Sequence, residues 1–105
     1  MAHLINDSNF DELLANNSLV VVDFSATWCG PCRMVTPIIE ELSGVYEGRA
    51  VIGKADIEEA VELTEKYGIR SVPTILFFKN GEQLSDKFVG AVTKSTLVDK
   101  IESLL

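Results

Sequence analysis

The sequence is poor in basic residues and in long apolar runs, and each shortage excludes a class of partner. Lysine and arginine together number 9, against 16 aspartates and glutamates, so the formal net charge is −7. Binding to nucleic acid or to an anionic membrane surface is disfavoured, because phosphate contacts need clustered basic side chains. No stretch approaches the roughly 20 apolar residues of a membrane-spanning helix. We therefore expect neither nucleic acid nor a membrane among the partners.

The sequence also lacks repeats, linkers and low-complexity tracts. Its 105 residues, 47% of them apolar, predict one globular domain over residues 1–105. At the N-terminus no basic segment precedes an apolar run, so we expect no export signal and a cytoplasmic protein. Histidine occurs once, as His3, far along the chain from the two cysteines. A zinc site needs four ligands, so we predict no metal site within one chain.

The two cysteines, Cys29 and Cys32, lie within the segment Trp-Cys-Gly-Pro-Cys. An apolar run, residues 19–24, precedes this segment, and apolar residues at helical spacing follow it. The pair is therefore predicted at a strand-to-helix turn. A helix start carries unpaired N–H groups and partial positive charge, which stabilise a thiolate, the nucleophile of disulfide exchange. This placement favours a redox-active pair in which one sulfur attacks and the other resolves.

Three other interpretations of the cysteine pair remain open. A purely structural bridge would close a loop of four residues, worth about 2 kcal/mol, which is less than a longer loop would give. Half of a zinc site would need further ligands from a second chain. Two inert core thiols would conflict with Gly30 and Pro31, because a turn places at least one sulfur near the surface. The redox interpretation is favoured over all three.

Apolar periodicity predicts the element order β-α-β-α-β-α-β-β-α. Strands are predicted at residues 3–5, 19–26, 50–55, 74–79 and 83–89. Helices are predicted after caps at residues 6–8, from near Pro31, over residues 58–67, and after a cap at Thr93 or Ser95. Asn80-Gly81 predicts a hairpin turn between the last two strands. The parallel crossovers and the late hairpin together indicate a mixed sheet with helices on both faces.

Four segments of the chain resemble the thioredoxin family, in order and over nearly its whole length. They are residues 23–32 (Asp-Phe-Ser-Ala-Thr-Trp-Cys-Gly-Pro-Cys), 67–74 (Tyr-Gly-Ile-Arg-Ser-Val-Pro-Thr), 78–81 (Phe-Lys-Asn-Gly) and 89–91 (Val-Gly-Ala). The resemblance implies an α/β thioredoxin fold, a single mixed five-stranded sheet flanked by four helices on both faces. It also implies a monomeric thiol–disulfide oxidoreductase that reduces disulfides of client proteins by dithiol exchange. No bound cofactor is implied, and an external thioredoxin-reductase-type flavoprotein would recycle the enzyme.

The resemblance assigns catalytic roles to four residues. Cys29 is the exposed attacking thiol, and Cys32, more buried, resolves the mixed disulfide. Asp23 would lie beneath the site and aid deprotonation of Cys32, with Lys54 nearby. The sequence agrees for Asp23, because a carboxyl within an apolar strand has a raised pKa and can accept a proton. A solvated aspartate and a solvated lysine at strand ends are the alternatives for Asp23 and Lys54.

The resemblance also implies a flat apolar docking surface for substrate. Its predicted residues, taken with the turn between the cysteines, are Trp28, Gly30, Pro31, Ile57, Val72, Pro73, Val89, Gly90 and Ala91. The Val72–Pro73 bond is expected to be cis, although only about 5% of such bonds are cis in folded proteins. Val72 would offer backbone groups to an extended substrate, as in strand addition.

Two alternatives to this function stay open. The same fold could serve as a binding or structural module whose redox state is incidental, or as an exported relay for one client. The segment from Gly81 to Gly90 is one residue longer than is usual in the family, so we expect a bulge there.

Overall fold

A run of apolar residues forms the centre of the sheet in the computed structural model, which describes residues 2–105. The central strand, β2 (Leu19–Ser25), is buried on both faces through Phe24. It lies between β3 (Val51–Asp56), which is parallel to it, and β4 (Thr74–Lys79), which is antiparallel. The edge strands are β1 (His3–Leu4) and β5 (Glu82–Val89). The sheet order is β1-β3-β2-β4-β5.

Four helices cover the two faces of the sheet. They are α1 (Phe10–Asn16), α2 (Cys32–Val45), α3 (Val61–Lys66) and α4 (Lys94–Leu104). Alternate residues of a strand point to opposite faces. Leu19 and Val21 accordingly pack with α2 and α4, whereas Val20 and Val22 pack with α1 and α3. The predicted mixed five-stranded sheet with four flanking helices is confirmed. Within residues 2–105 no helix is both long and apolar enough to span a membrane.

Several predicted element boundaries were wrong by one to three residues. Strand β1 and helix α3 each end one residue earlier than predicted, β3 lies one residue later, and β5 begins one residue earlier. Strand β2 ends at Ser25, one residue before the predicted end. Helix α1 has Asn9 at its N-cap rather than one of residues 6–8. The reason is that the Asn6 side chain accepts hydrogen bonds from the backbone N–H groups of Ser8 and Asn9, which closes a separate turn before the helix.

Helix α3 begins at Val61, three residues after the predicted start at residue 58. The backbone carbonyl of Asp56 accepts hydrogen bonds from the N–H groups of Glu59 and Ala60, so this stretch is a turn. The carboxylate of Asp7 then accepts from the N–H groups of Glu62 and Leu63, at 3.2 and 3.0 Å. A residue more than fifty positions away therefore caps this helix.

The hairpin between β4 and β5 follows the prediction. Asn80 and Gly81 have φ values of 52° and 83°, the left-handed pair that a two-residue turn requires. The expected bulge is present as a register shift in the same hairpin. Leu76 pairs with Lys87, and Phe78 pairs with Gln83. One residue of β4, Phe77, therefore lies opposite three residues of β5, 84–86.

Candidate active site

The two cysteines form a disulfide at the start of α2, with their Cα atoms 5.3 Å apart. The turn that brings them together begins where the Cys29 N–H donates a hydrogen bond to the Ala26 carbonyl, at 3.2 Å. Pro31 occupies the N-cap position, with φ of −58° that already suits a helix. The N–H of Cys32, which has no acceptor within the helix, donates to Cys29 Sγ at 3.1 Å. The predicted placement at a strand-to-helix turn is confirmed.

Both cysteines are buried in this oxidised state, 4% exposed at Cys29 and 2% at Cys32. The expectation of an exposed Cys29 was wrong, although the order of the two exposures is as expected. The reason is that Cys29 packs in a small apolar cluster with Ala26, and Ile57 and Val72 close over it. Ile57 and Val72 also line a groove that reaches Cys29.

This groove, with a volume of about 400 Å³, has Cys29 in its lining. Six predicted site residues line it: Trp28, Cys29, Gly30, Pro31, Ile57 and Val72. Three further lining residues were missed by the sequence reasoning: Ile69, Arg70 and Ser71. Their position directly before Val72 in the chain was the available signal. Trp28 is 64% exposed, so the tryptophan lies at the surface as the family resemblance implies rather than in the core.

One wall of the groove is the segment that ends in a cis peptide bond between Val72 and Pro73, as expected. The Val72 carbonyl oxygen lies 3.7 Å from Cys29 Sγ. Pro73 is buried, and its carbonyl accepts a hydrogen bond from the Gly90 N–H at 2.8 Å. Val89, Gly90 and Ala91 therefore run beside Pro73, but they do not line the groove itself.

Asp23 is fully buried in the middle of β2, and neither of its carboxylate oxygens has a hydrogen-bond partner among the described residues. Burial raises the pKa of Asp23 to about 7, while the positive charge of Lys54 acts in the opposite direction. Lys54 is the residue paired with Asp23 across the parallel strands. The predicted rise in pKa is confirmed, and a carboxyl with this pKa can exchange a proton near neutral pH.

Lys54 makes its ion pair with Glu40, which the sequence analysis did not select. Its Nζ atom lies 3.2 Å from Glu40 Oε1, on α2, and the other oxygen of Glu40 accepts the Ala2 N–H at 2.6 Å. A second cavity, of about 670 Å³, is lined by both Lys54 and Cys32 but not by Trp28. Among residues 2–105 no group of three or more His, Cys, Asp or Glu is arranged to hold a metal ion.

Known proteins match this chain over nearly its whole length, both in sequence and in structure. The family model described as Thioredoxin matches residues 1–103. Thioredoxin M-type, chloroplastic, from Pisum sativum is 50% identical over 97% of this chain, and the chain spans 59% of that protein, less than two thirds of its length. Thioredoxin from Rickettsia bellii is 47% identical, with 98% of each chain covered. A Plasmodium falciparum thioredoxin structure has a TM-score of 0.87 and 39% identity, covering 99% of this chain and 100% of its own.

Proposed function

The chain belongs to the thioredoxin family, and we propose that it is a thiol–disulfide oxidoreductase that reduces protein disulfides by dithiol exchange. The observation that carries the proposal is the Cys29–Cys32 bridge at the start of α2, beside an open groove. The proposed substrates are disulfide-containing proteins, and the proposed electron donor is an external thioredoxin-reductase-type flavoprotein. The proposed compartment is the cytoplasm, which keeps thiols reduced, the state from which this chemistry starts.

In the proposed reaction, the Cys29 thiolate attacks one sulfur of a client disulfide. A mixed disulfide forms, and the other client sulfur leaves as a thiolate. Cys32 then loses its proton to Asp23 and attacks Cys29 Sγ, which releases the second client thiolate and closes the Cys29–Cys32 bridge. The client gains two electrons and the two cysteines lose them, and the flavoprotein later returns them.

Two features support Cys29 as the attacking residue. The Cys32 N–H already lies 3.1 Å from Cys29 Sγ, and in the reduced protein the same donor would stabilise negative charge on that sulfur. Cys29 also lines the groove, whereas Cys32 faces the separate cavity beside Lys54. A client sulfur that enters from the groove meets Cys29 first.

The proposed client site is the groove together with the strand end beside it. Trp28, Ile57 and Val72 give it an apolar wall, and the Val72 carbonyl next to Cys29 offers a hydrogen-bond acceptor to an extended segment. Gly30 and Pro31 complete the rim. Val89, Gly90 and Ala91, held beside Pro73, would extend the contact beyond the groove.

The proposal is tested by replacing each cysteine in turn. Cys29→Ser should abolish reduction of a protein disulfide by dithiothreitol through this chain, because no sulfur remains to attack. Cys32→Ser should accumulate a covalent adduct with the client, because the mixed disulfide cannot be resolved. Activity is measured as turnover of a disulfide protein, and the adduct by mass spectrometry with and without added thiol.

The variant with both cysteines replaced by serine is the control for a binding or structural module. Such a module would keep its full partner affinity without either sulfur. If Cys32→Ser turned over normally and trapped no client, the assignment of attacking and resolving roles would be wrong. If neither single variant changed the turnover of the disulfide substrate, the oxidoreductase proposal itself would fail.

A further inference from the structure

We propose that Glu40 is a positioning residue, which holds the ammonium group of Lys54 away from Asp23 and so leaves the Asp23 carboxyl free to exchange a proton. The role in catalysis rests on the proposed function, in which Asp23 takes the proton of Cys32. The positioning itself is a property of the folded chain. Nothing in the motif around the cysteines points to Glu40, which lies eight residues after Cys32 on α2.

Glu40 and Asp23 compete for one cation. Lys54 is the cross-strand partner of Asp23. The two residues follow Val21 and Ile52 by two positions, and so share the face of the sheet on which those residues pack with α2. The ammonium group nevertheless lies 3.2 Å from Glu40 Oε1, and both oxygens of Asp23 lack a hydrogen-bond partner in the described chain. Lys54 therefore affects Asp23 only through space.

Glu40 is itself held in place from the opposite side. The Ala2 N–H donates to Glu40 Oε2 at 2.6 Å while Lys54 binds Oε1. These two contacts lower the pKa of Glu40, with the Ala2 hydrogen bond the larger cause. Glu40 is therefore ionised across neutral pH, and it offers Lys54 a half-exposed partner that retains part of its hydration.

The alternative arrangement would change what Asp23 can do. A lysine ammonium is a compact charge on a flexible stem, so it can turn from one carboxylate to another within reach. Direct contact with Lys54 would favour the charged form of Asp23 and lower its pKa by about one unit or more. Asp23 would then be a weaker acceptor for the proton of Cys32 near neutral pH.

Lys54 lines the same cavity as Cys32, which is in the disulfide. The other ionisable residues of that lining are Arg33, Asp56 and Glu59. The residue opposite Asp23 on β4 is Ile75, which carries no charge. Lys54 is the only one of these groups with a resolved charge effect on the pKa of Asp23. The position of this ammonium group is therefore the variable to test.

The test is a titration of the Asp23 side-chain carboxyl by carbon-13 NMR in the oxidised protein, without client or reductase. In Glu40→Gln the pKa of Asp23 should fall by about one unit, because Lys54 is released toward it. Glu40→Asp keeps the charge on a shorter side chain. In this variant the pKa of Asp23 should lie close to its value in the parent protein. Circular dichroism of each variant establishes that the fold is intact.

Two comparisons separate positioning from a general effect of charge. Glu41→Gln makes the same change of charge one position along α2, where the carboxylate pairs with Lys94, and it should leave the pKa of Asp23 unchanged. In a Lys54→Met background, Glu40→Gln should shift the pKa of Asp23 by less than half as much. An unchanged pKa in Glu40→Gln, an equal shift in Glu41→Gln, or an equal shift without Lys54 would each overturn the proposal.

This titration does not depend on the proposed reaction. If the cysteine variants refuted the oxidoreductase proposal while Asp23 titrated as expected, Glu40 would still position Lys54, and only its link to catalysis would be lost. If the cysteine variants behaved as expected while Glu40→Gln had no effect, the positioning proposal alone would fail.

Discussion

Asp23 makes the free energy of unfolding depend on pH. Its pKa rises from 3.8 to about 7 on folding because the carboxyl is buried without a hydrogen-bond partner. Between these two values the folded chain holds a proton that the unfolded chain releases. Stability is therefore greatest below the unfolded pKa, falls as the pH rises toward 7, and stays at the lower value above it.

Asp23→Asn should remove this pH dependence. The shift of about three pKa units corresponds to roughly 4 kcal/mol as an upper limit. The oxidised variant should therefore be more stable than the oxidised parent by up to about 4 kcal/mol at alkaline pH, with a much smaller difference near pH 4. Urea unfolding at the two pH values measures this. A difference that stayed constant with pH would contradict the pKa assigned to Asp23.

The same substitution tests the proposed role of Asp23 in catalysis. Asparagine has nearly the same shape but cannot take up a proton, so release of the client from the mixed disulfide should slow at neutral pH. Single-turnover kinetics with a preformed mixed disulfide would measure this step directly. An unchanged rate would leave Asp23 with a purely structural role.

The residues of the site differ in how far the sequence could reveal them. Cys29 and Cys32 could be found because their chemistry is contained in five consecutive residues. Asp23 could be suspected because a charged residue interrupts an apolar strand. Glu40 could not, because glutamate is common on helix surfaces and its contact with Lys54 exists only once α2 lies across β3.

At the scale of elements, the turn between β4 and β5 depends on a backbone conformation that glycine adopts without strain. Gly81 has φ of +83°, and a Cβ atom added there would meet no atom within 4 Å. Gly81→Ala should therefore cost about 1 kcal/mol through the backbone alone. Unfolding in urea would measure the loss.

Gly44 offers the matched control for this substitution. It lies within α2, and a Cβ atom added there also meets nothing within 4 Å. Gly44→Ala should stabilise the protein by about 0.5 to 1 kcal/mol, because alanine is the better helix former. Opposite signs for the two variants are expected. Equal effects would contradict the left-handed turn at Gly81.

Element order and type could be predicted here, whereas some boundaries could not. The alternation of apolar strands with helical patterns was sufficient for the order, and Asn80-Gly81 located the hairpin. The start of α3 was misplaced because its cap, Asp7, comes from the segment before α1. A pattern within residues 58–67 carries no information about a contact across the molecule.

At the scale of the whole molecule, the Cys29–Cys32 bridge should add less to the free energy of unfolding than a disulfide that closes a longer loop. It closes a loop of only four residues, so the entropy that it removes from the unfolded chain corresponds to about 2 kcal/mol. The oxidised protein should exceed the reduced protein by about that amount in free energy of unfolding. Urea unfolding with and without dithiothreitol measures the difference.

The control for this comparison is the variant with both cysteines replaced by serine. Its stability should not respond to dithiothreitol, because no bridge can form. In the parent protein, reduction could lower the free energy of unfolding by well over the amount expected for a four-residue loop. Such a loss would mean that reduction also disturbs the packing around Ala26, Ile57 and Val72. That outcome would contradict the expectation that reduction changes only the turn that holds the two cysteines.

The bulge in β5 also bears on how copies of this chain behave toward one another. An unpaired strand edge is a template on which a second molecule can add its own strand, the first step of aggregation. Here residues 84–86 disrupt the regular ladder, and Asp86 and Lys87 place charge along the same edge. The opposite edge, β1, has only two residues. A short strand at one border, and a bulge with charged side chains at the other, are the features by which sheets discourage the addition of a strand from a neighbouring molecule.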